Sequence, residues 1–310
     1  MHDEITCCVC NQPLSVPYKT LGGRAYCDRH YALVNKSHTG FWRAAVVQIV
    51  GMGVFSALVA LLANTVLGPL SGMGLIVAGV LLALIPSALW LVFFYQQDRL
   101  EPEPKQQIAA VFILAALLAD VLLRRVTTEW FQVNVWASAN TLTSLLASIL
   151  IVAATAQLII YLAVRLVVYD SAEFDERMDG IIYGTVAGLG VATVSNLYFV
   201  LANDGVALGP GVVQTVTTAL ALASFGGLQG WFMAEAKFAH RPAWWVPTGF
   251  ALATLANGVF SWLIGEVSAA GLQVDPWRSL ALGMAVALGA FFLLAFLMGR
   301  STEVTLRRTS

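Results

Sequence analysis

Residues Asp179 to Phe199 read DGIIYGTVAGLGVATVSNLYF. An acid opens an apolar run about as long as the 20 residues or so that a helix needs to cross a bilayer. Gly180, Gly184 and Gly188 recur at every fourth position, which puts them on one face of a helix. Small residues at that spacing let two helix backbones approach closely in a membrane. The stretch therefore reads as a membrane span built for tight packing. Gly226, Gly227 and Gly230 offer a similar groove further on. Asp175 or Asp179 fits as a cap, because an acid at a helix N-terminus satisfies free N–H groups and complements the dipole. Ser195 and Asn196 stand deep in the apolar run.

Working outward, the same character holds for most of the chain. Of 310 residues, 58% are apolar and only 11% charged, against about 25% charged in soluble domains. Eight apolar segments are expected as spans, roughly 42–67, 70–95, 107–123, 142–168, 179–202, 212–236, 245–267 and 279–299. The third is the shortest, and the segment after it places Trp130, Phe131 and Trp136 as interface anchors. Breaks fall at GPLSG, DRLEPEPK, NDG, HRP and DPW, which carry turn and helix-stopping chemistry. With the N-terminus inside, fourteen of the seventeen Lys and Arg lie in inside segments, and only Arg124, Arg125 and Arg278 lie outside. That bias places both termini in the cytoplasm. The fold class is an all-α polytopic membrane protein of about eight transmembrane helices, N-in and C-in, with a small N-terminal cytoplasmic zinc-binding domain. The expected divisions are 1–35 finger, 36–41 linker, 42–299 helical domain and 300–310 cytoplasmic tail.

All four cysteines lie in the first 30 residues. Cys7 and Cys10 are spaced C-x2-C, and Cys27 and His30 are spaced C-x2-H. Two such pairs joined by a loop make a tetrahedral Cys3His zinc site. Four protein ligands close the coordination sphere, so the Zn2+ is structural, and a head of this size needs the metal to fold. Gly22 and Gly23 fit a hairpin turn between Tyr18 and Tyr26, and Cys8 is left as a spare thiol. A disulfide head is the alternative, disfavoured in a reducing cytoplasm. The head is similar to a single LIM-type or treble-clef-like finger. It lacks a basic recognition helix, so nucleic acid is not an expected partner.

Two further stretches carry a family resemblance. YQQDRLEPEPKQQ (95–107) and EFDERMDGIIYGTVAGLGVATVSNLYFVL (173–201) resemble, in the same order, the Asp-Arg-x-Glu-Pro-Glu-Pro and Asp-Gly-x-x-Tyr-Gly blocks of the PrsW family of intramembrane metalloproteases. The resemblance spans about 70–299 and leaves the finger outside. It implies a Glu-Glu-x-x-Lys motif on one helix, a Glu on the next and His residues further on, holding a metal that activates water. The acidic pair falls at Ala156 and Gln157, and the lysine near Ile160, yet no Glu, Asp or Lys lies between 143 and 164. The next glutamate position is Ser195. The sixth span holds no His. The nearest matches to His-x-x-x-(Asp/Asn) are Asn257 and Ser261. The four histidines are His2, His30, His38 and His240, all outside the spans.

A water-activating zinc needs about three His or carboxylate ligands, so no intramembrane metal is expected and no catalytic residue is assigned. Ser195 or Ser261 as a nucleophile lacks a base. Asp120 reads as an i,i+4 partner of Arg124, Glu235 stands beside Lys237, Glu266 lies near a span end, and Arg165 snorkels. The polar set Gln157, Ser195, Asn196, Thr254, Asn257 and Ser261 reads first as interhelical hydrogen bonding. The expected function is a non-catalytic PrsW-like scaffold, docking or regulatory subunit. Its partners would be membrane lipids, other membrane proteins through the bundle, and a cytoplasmic protein through the finger. A homodimer through the glycine face is an alternative to packing within one chain. Two alternative functions stand beside it: an intramembrane metalloprotease with an atypical site, and a lipid or small-molecule binder in a vestigial cavity. The expected location is a bacterial-type inner membrane.

Overall fold

The computed structural model describes residues 5–10, 12–21, 23–35, 41–65, 72–96, 103–202, 208–239, 241–269 and 276–307. Gly22, the linker 36–40, most of the GPLSG break, Glu101, Pro102, the NDG break, His240, Asp275 and the last three residues lie outside them.

The head is a two-stranded antiparallel hairpin, β1 (Lys19–Leu21) and β2 (Arg24–Tyr26), followed by a short helix α1 (Asp28–Val34). Gly23 turns it with φ 81°, a conformation that costs a residue with a Cβ but not glycine. Then come α2 (Phe41–Thr65), α3 (Met73–Tyr95), α4 (Lys105–Arg124), α5 (Val133–Trp136), α6 (Thr141–Ala147), α7 (Ala154–Val167), α8 (Arg177–Ala202), α9 (Leu208–Phe238), α10 (Trp245–Ala269) and α11 (Pro276–Arg307). Six helical stretches among the described residues are long and apolar enough to cross a membrane, and α2 and α3 add shorter apolar stretches at Arg43–Ser56 and Gly79–Tyr95.

The expected third span is not the shortest. α4 continues through a π turn, Arg125–Trp130, making an apolar helix of 26 residues. It stops where Gln132 takes a left-handed φ of 46°. α6 restarts on a capping box in which Asn140 and Thr143 each accept from the other's backbone N–H, satisfying two orphan donors at once. α6 then runs through a second π turn, Ser148–Ala153, into α7. α11 extends to Arg307, through most of the segment expected as a tail.

α8 and α9 form the axis. Their apolar windows are 67% and 83% buried, against 22–39% for the other four long spans. The glycines make this possible. A methyl on Gly180 would meet the Gly230 carbonyl, one on Gly184 the Gly226 carbonyl, and one on Gly188 the Leu222 carbonyl, while Gly226 and Gly230 return the relation. The face read from the sequence is thus consumed inside the chain. Gly227 sits apart from this seam, against Thr185 and Leu294. On the outside of α8, Gly190 meets the α4 backbone at Phe112.

Two sequence pairings are replaced by three other contacts. Asp120 accepts from the Tyr198 hydroxyl across the α4–α8 contact, in place of the expected partner Arg124. Glu235 pairs with Arg177 (2.6 Å) and Arg241 (3.3 Å), not with Lys237. Lys237 instead donates to the carbonyls of Tyr169 and Phe174. The new contacts bring together residues far apart in sequence or across a loop, where local spacing carries no information.

Candidate functional site

The finger brings its four predicted ligands to one point. The Sγ atoms of Cys7, Cys10 and Cys27 and a ring nitrogen of His30 lie within 4.8 Å of one another. His30 Nδ1 is 3.5 Å from Cys7 Sγ and 3.2 Å from Cys27 Sγ. A tetrahedron with Zn–S near 2.3 Å and Zn–N near 2.0 Å has edges of about 3.6–3.8 Å, so small adjustments seat a zinc-sized ion. Cys27 is the N-cap of α1, which explains why His30 falls one turn along on the same face. Burial pushes the Cys7 thiol up, but the backbone N–H groups of Cys27, Val9 and Cys10 and the His30 ring outweigh it, and the thiol ends lowered from 9.0 to about 6. That favours the thiolate a metal requires. Cys8 stays outside the ligand group and hydrogen-bonds Tyr26.

The finger rests on the bundle. Arg24 of β2 contacts Asp175 at 2.6 Å and Glu176 at 3.8 Å, both in the loop before α8. Directly below, Asp179 accepts from the backbone N–H groups of Asp175 (2.8 Å) and Glu176 (2.6 Å). Asp179 is therefore the cap, reaching back from the first turn in the manner of a capping box. Its carboxyl group also hydrogen-bonds Glu103. Glu103 in turn accepts from the Tyr183 hydroxyl at 2.5 Å, and its backbone carbonyl accepts from Tyr95. Glu103, Glu176 and Asp179 are all at least nine-tenths buried. Glu103 and Tyr183 escaped the sequence reading, although each lies in one of the two recognised blocks. The usable signal was the i,i+4 spacing of Asp179 and Tyr183, which aims both at one neighbour.

The contacts above define a finger side of the bundle, holding the ends of α3 and α7, the starts of α4, α8 and α10, and the end of α9. Depth can be read from it. Gly180 is level with Gly230, Gly188 with Leu222, and Asn196 with Thr215, whose carbonyl accepts from Asn196 Nδ2 at 3.0 Å. Gln157, in contrast, is tied to Gln229, which donates to its backbone carbonyl at 3.1 Å. Thr215 and Gln229 are fourteen positions apart on α9, roughly 21 Å at 1.5 Å per residue. Ser195 and Gln157 therefore occupy different layers of the bundle.

On α10, Gly249 abuts Phe232 and Phe260 packs edge-on to Phe225. Gln229 is thus level with about residues 252–256. Thr254 falls in that layer and Asn257 lies one turn beyond, accepting from Ser261 at 3.3 Å. Gln157 and Gln229 are both 0% exposed. Among protein atoms, Gln157 Nε2 and Oε1, Gln229 Oε1, Thr254 Oγ1 and Asn257 Nδ2 are buried without hydrogen-bond partners. Leaving such groups unpaired costs about 1–3 kcal/mol each. This layer is the concentrated polar feature of the membrane domain, and Gln229 is the member the sequence reading missed. Ala156 beside it is simply core.

A catalytic zinc does not fit this layer. Its groups are neutral amides and a hydroxyl, and amide nitrogens face inward as well as oxygens. Zinc takes thiolate, imidazole or carboxylate. Among the described residues, the finger is the one place where three or more His, Cys, Asp or Glu ligand atoms gather closely. No hydrolytic step is derived through an intramembrane metal.

Comparison with known proteins gives a consistent ancestry. The family model described as PrsW family intramembrane metalloprotease matches residues 103–298. Protease PrsW of Geobacillus kaustophilus is 29% identical over 181 residues, 58% of this chain and 76% of the relative. Protease PrsW of Bacillus subtilis is 25% identical over 190 residues, 59% of this chain and 81% of the relative. No solved structure matches.

Proposed function

The chain belongs to the PrsW family, and from that premise we propose that it is a non-catalytic member acting as a scaffold, docking or regulatory subunit of a membrane complex. The observation that carries this reading is the neutral Gln157–Gln229–Thr254–Asn257 layer. Two of its members, Gln157 and Asn257, stand at positions where the resemblance calls for metal ligands. Buried amides hydrogen-bond neutral polar groups, such as water or one another, without activating a nucleophile. The finger holds one structural Zn2+ through Cys7, Cys10, Cys27 and His30. Both termini lie in the cytoplasm of a bacterial inner membrane, in keeping with the Lys and Arg bias and the bacterial relatives. A cytoplasmic protein meets the finger, and another membrane protein meets the bundle.

The test is metal content together with proteolysis. Purified full-length protein should carry one zinc per chain and leave model transmembrane peptides uncut. Changing Cys7 and Cys27 to Ala should remove the zinc while the helical signal and elution volume persist. A second metal that survives this double change, or cleavage abolished by a chelator, would overturn the proposal. Either result would favour the second reading, an intramembrane metalloprotease with an atypical site, which draws its support from the family match itself.

A further inference from the structure

An apolar groove of about 540 Å³ runs between α9, α10 and α11, lined among others by Leu228, Trp231, Phe232, Ala256, Val259 and Leu293. It is separate from the polar layer, since its α10 residues lie on a different face from Asn257. Leu252, Leu255 and Leu293 on its walls are 47%, 51% and 47% exposed, so it opens sideways onto lipid. Along α11 the lining runs from Val286 to Leu297, about 16 Å at 1.5 Å per residue.

The finger-side end of this groove is aromatic and cationic. Trp231 and Phe232 meet Trp245 with ring centroids 6.3 and 5.1 Å apart. The Arg241 guanidinium lies over the Trp245 ring at 4.9 Å. Its side chain is 45% exposed even though it contacts Glu235. Arg177 holds the other oxygen of Glu235. Two guanidiniums on one carboxylate leave one positive charge, and the exposed share of it is at Arg241. Trp244 beside it is 60% exposed, as residues at the membrane–water interface are.

We infer that this groove and Arg241 form a binding site for an anionic glycerophospholipid, with one acyl chain in the groove and the phosphate at the guanidinium. Charge separates this occupant from an apolar protein helix: the groove is apolar along its walls and ends on a half-exposed guanidinium, which pairs a hydrocarbon chain with a phosphate. An acyl chain matches the wall chemistry. Basic pockets between helices at the membrane surface hold anionic headgroups by the same combination.

The test uses the full chain in nanodiscs with phosphatidylglycerol or phosphatidylcholine as probes. Lipid retained on the protein is read by native mass spectrometry, and quenching of tryptophan fluorescence by lipids brominated on the acyl chain reads the groove. Wild type should retain phosphatidylglycerol in preference to phosphatidylcholine. Arg241→Gln should reduce that preference about fivefold, the effect of one interfacial cation, and Arg241→Lys should restore most of it. Ala256→Phe should fill the groove and remove the share of quenching that comes from Trp231, leaving that of the exposed Trp130, Trp136 and Trp244, without changing Arg241. Equal retention of the two lipids by wild type would overturn the site. So would unchanged preference in Arg241→Gln, or a second copy of the chain that Ala256→Phe displaces.

Discussion

Arg24, in the N-terminal hairpin, bonds Asp175, in the loop that opens the most buried helical hairpin of the bundle, at 2.6 Å. The two residues are 151 positions apart. The finger is thereby attached to the same loop whose backbone Asp179 organises. Order in the head is thereby coupled to the start of α8.

Reversing the charge at this junction should loosen it without unfolding the bundle. Asp175 is 54% exposed, so the pair itself is worth at most about 1 kcal/mol. Arg24→Glu should speed hydrogen exchange in residues 170–177 and lower the melting temperature, because it also sets a like charge against buried Glu176. Adding Asp175→Arg should recover part of the protection. Exchange that is identical in all three proteins would mean the contact does not order the loop.

Tyr183→Phe removes the hydroxyl that donates to buried Glu103. A buried acceptor left short of a donor costs about 1–3 kcal/mol, so the melting temperature should fall by several degrees. Glu103→Gln, which keeps an acceptor for Tyr183, should cost less than Glu103→Leu, which leaves both Tyr183 and Asp179 without it. The reverse order would contradict the bonding scheme.

The glycine seam predicts a sharp contrast. In Gly184→Leu the new side chain would strike the Gly226 carbonyl, a backbone group that cannot step aside. The cost should be at least about 1–3 kcal/mol, the range for overpacking, and loss of folded protein is the extreme form. Gly289→Leu, where nothing lies within 4 Å, should be nearly neutral. Comparable losses in both would remove the seam from the account.

Gln157→Leu should leave stability unchanged or raise it, because it exchanges unpaired buried polar atoms for apolar ones while the backbone carbonyl that Gln229 uses remains. A marked drop in melting temperature would show that the Gln157 amide is already satisfied.

The amino-acid sequence by itself determined the all-α membrane class, the family, the Cys and His residues that gather in the head and the glycine face. Each of these rests on local regularities, namely bilayer length, the two recognised blocks, short ligand spacing and one-face periodicity, that survive without knowing which helices touch. Only the tertiary structure decided which residues meet. It gave Asp120 to Tyr198 and Glu235 to two arginines. It joined Glu103 of one recognised block to Asp179 and Tyr183 of the other, drew Gln229 to Gln157, and set Ser195 in a different layer. Those pairings depend on the register between helices, which the backbone contacts of Gly180, Gly184 and Gly188 fix, and a single chain read in order does not contain that register.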